Sequence, residues 1–325
     1  MKALEEAYRR AGEAIRRSRR LAIVHHVDLD GAAAAAVLAR SSPGAAVFRA
    51  TGVRGVRRAV LRELRAAAGS GATVAVADLG PGGLGDAEAI ASGLRFGQRL
   101  VWLDHHEWPR GALEALAGAG AVVVVDRSRV TAEVACRAVD CWDDEVSKSI
   151  VEIARADDSC GEDPLGLAEK WRLVLRVSGP RAAERAAASL AGGDLWPGWA
   201  REVYERYAEP YRRELREQTR LYRYQFEGLR VAVAVPPARV SGCDLERAGL
   251  LPGGGEADVV VVLYPRGISI RTWGGLRADC IASRLGGGGH HNAAGAPRPS
   301  TSMGPAQVAR MVARAAAACR EASTG

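Results

Sequence analysis

Four short apolar runs limit what the first half of this chain can fold into. Leu21 to His25, Thr73 to Ala77, Leu100 to Leu103 and Ala121 to Val125 are β-rich and bounded by Gly, Asp or Arg. The stretches between them, such as RGVRRAVLRELRAAAGSG and VTAEVACRAVDCWDDEVSKSIVEIAR, carry helical spacing. Strand and helix alternating in this way is the pattern of βαβ units. It predicts an α/β domain with a parallel sheet covered by helices, in which ligands bind beyond the carboxyl ends of the strands.

The second half reads differently. WPGWAREVYERYAEPYRRELREQTRLYRYQFEG is polar, aromatic and helical in spacing, broken once at Pro210. After it, LRVAVAVPP, ADVVVVLYP and GISIRTW read as strands, and PAQVARMVARAAAACREAS as a closing helix. With 325 residues, two cores are expected. The expected organisation is a catalytic domain over 1–195, a helical linker over 196–227 and a smaller α/β domain over 228–325.

Composition excludes several classes. Hydrophobic residues at 48% and charged residues at 26% argue against disorder, and no apolar stretch approaches the roughly 20 residues of a membrane span. The N-terminal MKALEEAYRRAGEAIRRSRR is a charged amphipathic helix without the features of a signal peptide, so a cytoplasmic location is expected. The six cysteines show no CxxC spacing and are expected to be reduced and buried. A net charge of +7 allows a polyanionic partner.

The chemistry sits at the ends of the first-half strands. The first run leads into His26, Asp28, Asp30 and Gly31, the second into Asp78, and the third into Asp104, His105 and His106; a later helix reaches Asp157 and Asp158. Each acid alone reads equally well as a helix N-cap. Together they crowd one edge of a parallel sheet, where several carboxylates repel one another unless a cation neutralises them. Carboxylates with imidazoles and no thiolate suit Mn²⁺ or Mg²⁺. Six or seven ligands exceed what one ion can use, whereas two ions about 3.5–4 Å apart, bridged by a carboxylate, form a clamp for phosphoester hydrolysis.

In this order HVDLDG, DLG, DHH and ARADD resemble the four motifs of the DHH phosphoesterase superfamily, and GGGGHHNAAG over 286–295 resembles the GGGHxxAAG signature of the C-terminal domain that accompanies one branch. The chain is similar to the nanoRNase and archaeal RecJ-like exonuclease branches. The resemblance spans residues from about 26 to 295. It implies a two-domain, Mn²⁺-dependent phosphodiesterase or exonuclease with its active site in the cleft between the domains. Carried over by motif, Asp28 and Asp30 are ligands of the two ions, Asp78 is the bridging carboxylate, and His105 and Asp157 complete the set, with Asp157 preferred to Asp158. His26 joins as a ligand through an HxDxDG arrangement, because Val24 stands where some branches place their first-motif histidine. His106 contacts phosphate or supports the ligands, and Asp104 orients the imidazoles.

Gly287, Gly288 and Gly289 allow close backbone approach to an anion, and with His290 and His291 they are expected to bind phosphate or base. Arg271 alternates with Ile268 and Ile270, so it projects from the opposite strand face, where the family places a phosphate-binding arginine. Trp196, Trp199, Tyr204, Tyr207 and Tyr211 are expected to pack the helix rather than stack on bases. The expected substrate is short single-stranded RNA or DNA, with oligoribonucleotides first, since the chain leaves no room for an added oligonucleotide-binding barrel. The rivals are adenosine 3′,5′-bisphosphate, a linear or cyclic dinucleotide, and, in another class, a catalytically silent replication scaffold of the superfamily. No membrane partner is expected, and a homodimer is compatible with the sequence.

Overall fold

The first apolar run forms strand β1 (Arg20–His25) behind helix α1 (Lys2–Arg16). It is followed by α2 (Leu29–Arg40), β2 (Ala45–Ala50), α3 (Val56–Ala67), β3 (Thr73–Ala77), α4 (Leu84–Gly93), β4 (Arg99–Asp104), α5 (Ala112–Gly118) and β5 (Val122–Val125). Helices α6 (Thr131–Val139), α7 (Glu145–Asp158), α8 (Ala168–Ser178) and α9 (Pro180–Ala191) complete this part. The computed structural model describes residues 2–237, 240–289, 291–298 and 300–321. The chain divides into a unit ending at Glu205 and a unit beginning at Arg206.

In the first unit the five strands pair in parallel in the order β2-β1-β3-β4-β5. Successive residues of β1 serve opposite cores. Leu21 and Ile23 join the core built with α2, α6, α7 and α9, whereas Ala22 and Val24 join the one built with α3 and α4. Both faces are therefore buried, which is why these strands read as continuous apolar runs rather than alternating ones. Helix α2, LDGAAAAAVLAR, is buried from Leu29 through Leu38. Its alanines are what let it sit amid α6, α7 and α9. Strand order reverses at β1, with β2 on one side and β3 on the other, and a crevice is expected at that switch point.

The edge strand β2 was not among the four sequence-predicted runs. Its residues are only partly buried, and Arg49 interrupts the apolar pattern. The segment expected as one helix over 130–155 is two, α6 and α7, because Asp140 adopts a left-handed conformation (φ 53°) that ends α6.

The second unit contains most of α10 (Gly198–Gln218), then β6 (Arg220–Phe226), β7 (Leu229–Val235), α11 (Gly242–Arg247), β8 (Val259–Leu263), β9 (Gly267–Thr272), α12 (Ala278–Arg284), β10 (Gly288–Gly289), β11 (Ala293–Pro297) and α13 (Pro305–Glu321). The sheet order is β10-β11-β9-β8-β7-β6; only β7 and β8 run parallel. Two details differ from the sequence expectation. Helix α10 continues through Pro210 instead of breaking there, and residues 220–226 are strand rather than linker helix. Left-handed Glu227 and Gly228 (φ 45° and 80°) close a two-residue hairpin that fixes β6 against β7.

The cysteines correct a further expectation. Cys136 is bonded to Cys141 and Cys280 to Cys319, so these four are not reduced thiols. Spacing hid this, because each pair is set by helix geometry: Cys136 lies in α6 and Cys141 just beyond it, while α12 lies against α13. No helix among the described residues is long and apolar enough to cross a membrane.

The Cys280–Cys319 bond closes a separation of 39 residues. Constraint of the unfolded chain by a loop of that size is worth about 2–4 kcal/mol. Replacing both cysteines by serine should lower the unfolding free energy by about that amount, measured by denaturant titration of the full chain; an unchanged midpoint would show that the bond does not form.

Candidate metal centre

Parallel pairing brings the ends of β1, β3 and β4 together at the switch point. The register aligns His25 with Ala77 and Ala77 with Leu103, so the residues that follow all emerge on one edge. Backbone hydrogen bonds continue past the strands, from His26 N to Ala77 O at 3.2 Å and from Asp78 N to Leu103 O at 3.1 Å.

Asp78 stands at the centre. It is buried, and its backbone is left-handed at φ 63°, a strained state for a side-chain-bearing residue that Asp and Asn tolerate best. One oxygen, Oδ1, accepts from the Thr131 hydroxyl at 2.9 Å and lies 3.5 Å from His105 Nε2 and 3.9 Å from His106 Nδ1. The other, Oδ2, lies 3.6 Å from His26 Nδ1. Two triads can each hold a cation, Asp78 with His105 and His106, and Asp78 with His26 and Asp28. They share Asp78. Within each triad the ligand atoms lie within 4.8 Å of one another, so hard oxygens and imidazoles without thiolate fit divalent ions of the Mn²⁺ or Mg²⁺ type.

Each remaining acid has a visible partner. Asp28 is the N-cap of α2, its Oδ1 accepting from Gly31 N at 3.1 Å, while its Oδ2 lies 2.5 Å from His26 Nδ1. Cap and ligand-set member are thus the same residue. Gly31 admits this turn, since a Cβ there would lie 2.7 Å from the His26 backbone nitrogen. Asp30 is buried and accepts from two amides of α6, Thr131 N at 2.7 Å and Ala132 N at 2.8 Å. His105 Nε2 is 3.9 Å from it. Asp104 is fully buried and accepts from His106 Nδ1 at 2.8 Å, from Trp108 Nε1 at 2.6 Å and from the His105 amide at 2.9 Å. It therefore fixes the orientation of the His106 imidazole, which meets that of His105 edge to face at 4.4 Å. Asp157 is held by Arg172, whose Nε lies 2.5 Å from Oδ1, while Asp158 is exposed. Neither Asp30 nor Asp157 belongs to a triad among the described residues.

Electrostatics follow from the crowding. Burial, then the charge of Asp158, raises the Asp30 carboxyl from 3.8 to about 7. Burial together with the charges of Asp28, Asp30 and Asp104 pushes Asp78 well above the ordinary range. Burial raises Asp157 to about 6, against the opposing pull of Arg172. Burial alone would raise Asp104, but the hydrogen bond and charge of His106 hold it below the ordinary value; the same contact raises His106 against its own burial.

In the second unit, Ile268 and Ile270 are buried in the core with α12 and α13, so Arg271 projects from the other sheet face as the alternation requires. It is not an exposed arginine. Its Nε donates to Glu246 at 3.0 Å and its Nη1 to Ser269 Oγ at 3.3 Å, and a Cβ on Gly242 would lie 2.6 Å from that nitrogen. Gly288 and Gly289 pair with Gly295 and Ala294 as β10. Close backbone approach explains two of the glycines, since a Cβ on Gly287 would overlap the Gly295 carbonyl oxygen and one on Gly289 would lie 2.6 Å from Ala294 Cα. His291 is exposed, with its carbonyl accepting from Ala278 N at 2.7 Å. His290 lies outside the described residues. Trp196 and Trp199 pack edge to face on buried Trp171 at 5.3 and 5.6 Å, and Tyr204 on Trp196 at 5.9 Å, so these three are packing residues as expected.

Solved structures share this architecture. RecJ in complex with Mn²⁺ from Thermus thermophilus superposes with a TM-score of 0.63 over 98% of this chain, at 17% identity. The DHH domain of a protein described as a member of the s1p family of ribosomal proteins does so at 0.61, with 16% identity over 96% of this chain and 91% of its own. The chain has the fold of these DHH-domain structures. An exonuclease RecJ bound to manganese gives 0.52 at 17% identity, covering 98% of this chain and 94% of that one. The chain spans 55% of the length of the Thermus RecJ. No family model matches the sequence, and no curated protein does.

Within this DHH fold, three supporting residues escaped sequence reasoning: Thr131, Trp108 and Arg172. Thr131 had a signal. Helix α6 is preceded by Val130, which offers no side-chain cap, and the carboxylate that satisfies its amides comes from Asp30, about a hundred residues earlier.

The raised carboxyls set a pH dependence. A carboxyl raised from 3.8 to about 7 binds its proton more tightly when folded, so its stabilisation is complete below about pH 4 and is lost as pH rises through about 7. Metal-free protein should therefore melt lower at about pH 8 than at about pH 5, and Mn²⁺ should restore more at the higher pH, where protons no longer compete for the ligands. Asp78→Asn keeps a side chain suited to the left-handed backbone. It should raise the metal-free Tm at about pH 8 and erase the gain given by Mn²⁺. Thermal melts with and without Mn²⁺ at both pH values check this; equal Mn²⁺ gains in wild type and variant would contradict it.

Proposed function

We propose that the chain is a divalent-metal-dependent phosphodiesterase that hydrolyses short single-stranded oligonucleotides or small nucleotides. The observation that carries the reading is the sharing of Asp78 by two ligand triads at the switch point of a DHH fold. A two-ion site supplies an activated water and a clamp on phosphoryl oxygens.

The residues of the chain divide the remaining work. His26, Asp28, Asp78, His105 and His106 would hold the ions, with Mn²⁺ the ion of choice, and Asp104 fixes the His106 imidazole by accepting from it. Asp30 secures the edge of the site to the start of α6. Asp157 shares its carboxylate with Arg172, and this pair borders a cavity of about 280 Å³ that is also lined by Asp28 and Arg176. That volume lies near the lower end of small-ligand sites, about 300–1,000 Å³. It suits one nucleotide unit, and guanidinium groups in its wall suit a phosphate. Arg271, the β10 glycines and His290 and His291 are proposed to bind phosphate or base of the substrate.

Short oligoribonucleotides are the first choice of substrate, and adenosine 3′,5′-bisphosphate and dinucleotides are the rivals. An acidic and imidazole set held by so many specific contacts favours catalysis over a silent scaffold. Purified protein with Mn²⁺ should cleave short RNA and lose activity on thorough chelation. Its kcat/KM on homopolymers should peak at about two to five nucleotides and fall beyond about ten, where the grip is exceeded. A profile that climbs steadily with length would favour a processive nuclease, and turnover that survives chelation would remove the metal mechanism.

The two units should separate kinetically. Arg271→Lys keeps the charge but loses the fork that bonds Glu246 and Ser269, so KM should rise with little change in kcat. His105→Ala should collapse kcat and lower bound Mn²⁺. Equal loss of kcat and of metal in both variants would make Arg271 structural.

A further inference from the structure

A cavity in the second unit lies on the sheet face away from Arg271. It has a volume of about 680 Å³ and is formed where the end of α12 meets α13. Leu285, Met303 and Met311 form its floor, each packed by one side against the core of the unit and partly open on the other. Arg284, Arg310 and Arg314 form its rim and are exposed. Arg310 and Arg314 lie four residues apart, hence on one face of α13. Arg284 is tied across the groove by donating to the carbonyl of Ala318 at 3.2 Å.

Charge in this groove has one sign. Among the described residues no acid lines it, and α13 carries none before Glu321, the last residue of the helix. Cations on both helices beside an apolar floor select a ligand that is both anionic and hydrophobic. The floor distinguishes between two such ligands. It offers thioethers and aliphatic carbon but no aromatic ring among the described residues, so a nucleic acid would find phosphate partners on the rim and no stacking platform for its bases. Methionines instead adapt to protruding aliphatic or aromatic side chains, and arginine is enriched where interfaces bind tightly. Helix-in-groove recognition uses this arrangement, with apolar anchors at i, i+3 or i+4 and i+7.

We infer that this groove docks an acidic amphipathic segment of a partner protein, with two or three apolar anchors on Met303, Met311 and Leu285 and carboxylates paired with Arg284, Arg310 and Arg314. Arg271, proposed to bind substrate, leaves the sheet on the other face. The groove would tether the enzyme to a partner.

The test uses the full chain as bait for a display library of random peptides of about 16 residues, followed by fluorescence anisotropy of the enriched peptides. Enriched sequences should pair apolar residues at helical spacing with Asp and Glu and bind with micromolar affinity. Binding should weaken at least about tenfold with Arg310→Glu/Arg314→Glu, while melting temperature and phosphodiesterase activity stay unchanged. Met311→Gln, which retains the charges, should weaken the same peptides, showing that the floor participates. Enrichment without acidic bias, retained affinity in the arginine variant, or equal competition by single-stranded oligothymidylate would overturn the inference, the last by assigning the groove to nucleic acid.

Discussion

The site rests on a conflict between burial and charge. Asp30, Asp78 and Asp104 are almost wholly removed from water within one crevice, with Asp28 beside them. Carboxylates so placed repel and lose solvation together, which raises the Asp30 and Asp78 carboxyls above their ordinary range. A structure selected only for stability would place leucines there. Retaining the acids makes sense if something positive occupies the crevice, and the two triads sharing Asp78 define where it would sit.

The surrounding fold is arranged to keep this conflict in place. Parallel pairing of β1, β3 and β4 delivers the acids to one edge, and the strand-order reversal at β1 opens the crevice. Helix α6 contributes its N-terminus, where the amides of Thr131 and Ala132 meet Asp30 and the Thr131 hydroxyl meets Asp78. The same contacts that order the carboxylates thus complete the hydrogen bonding of the helix. The alanine-rich α2 carries Asp28 and Asp30 at its start, and it packs closely against α6 because its side chains are small. Packing of two helices therefore fixes the spacing of these carboxylates.

Much of this was legible in sequence for a physical reason. Strands buried on both faces must be apolar throughout, so Leu21–His25, Thr73–Ala77 and Leu100–Leu103 announced themselves and pointed to the residues just beyond them. The edge strand β2 has no such requirement and went unseen. So did β6, whose alternation in RLYRYQF was masked by the charged helix before it. The disulfides were illegible because spacing carries no information about helices that meet in space. Glycines 287 and 289 suggested an anion loop, yet close passage of β11 already requires them. Arg172 could not be tied to Asp157 without knowing that α7 and α8 are neighbours.

The measurement that bears most directly on the shared role of Asp78 is a crystal structure of the protein soaked in Mn²⁺, with anomalous diffraction recorded at the manganese edge. The account predicts two peaks about 3.5–4 Å apart, one beside His26 and Asp28 and the other beside His105 and His106, with the Asp78 carboxylate between them. A single peak, or two peaks out of reach of Asp78, would contradict it.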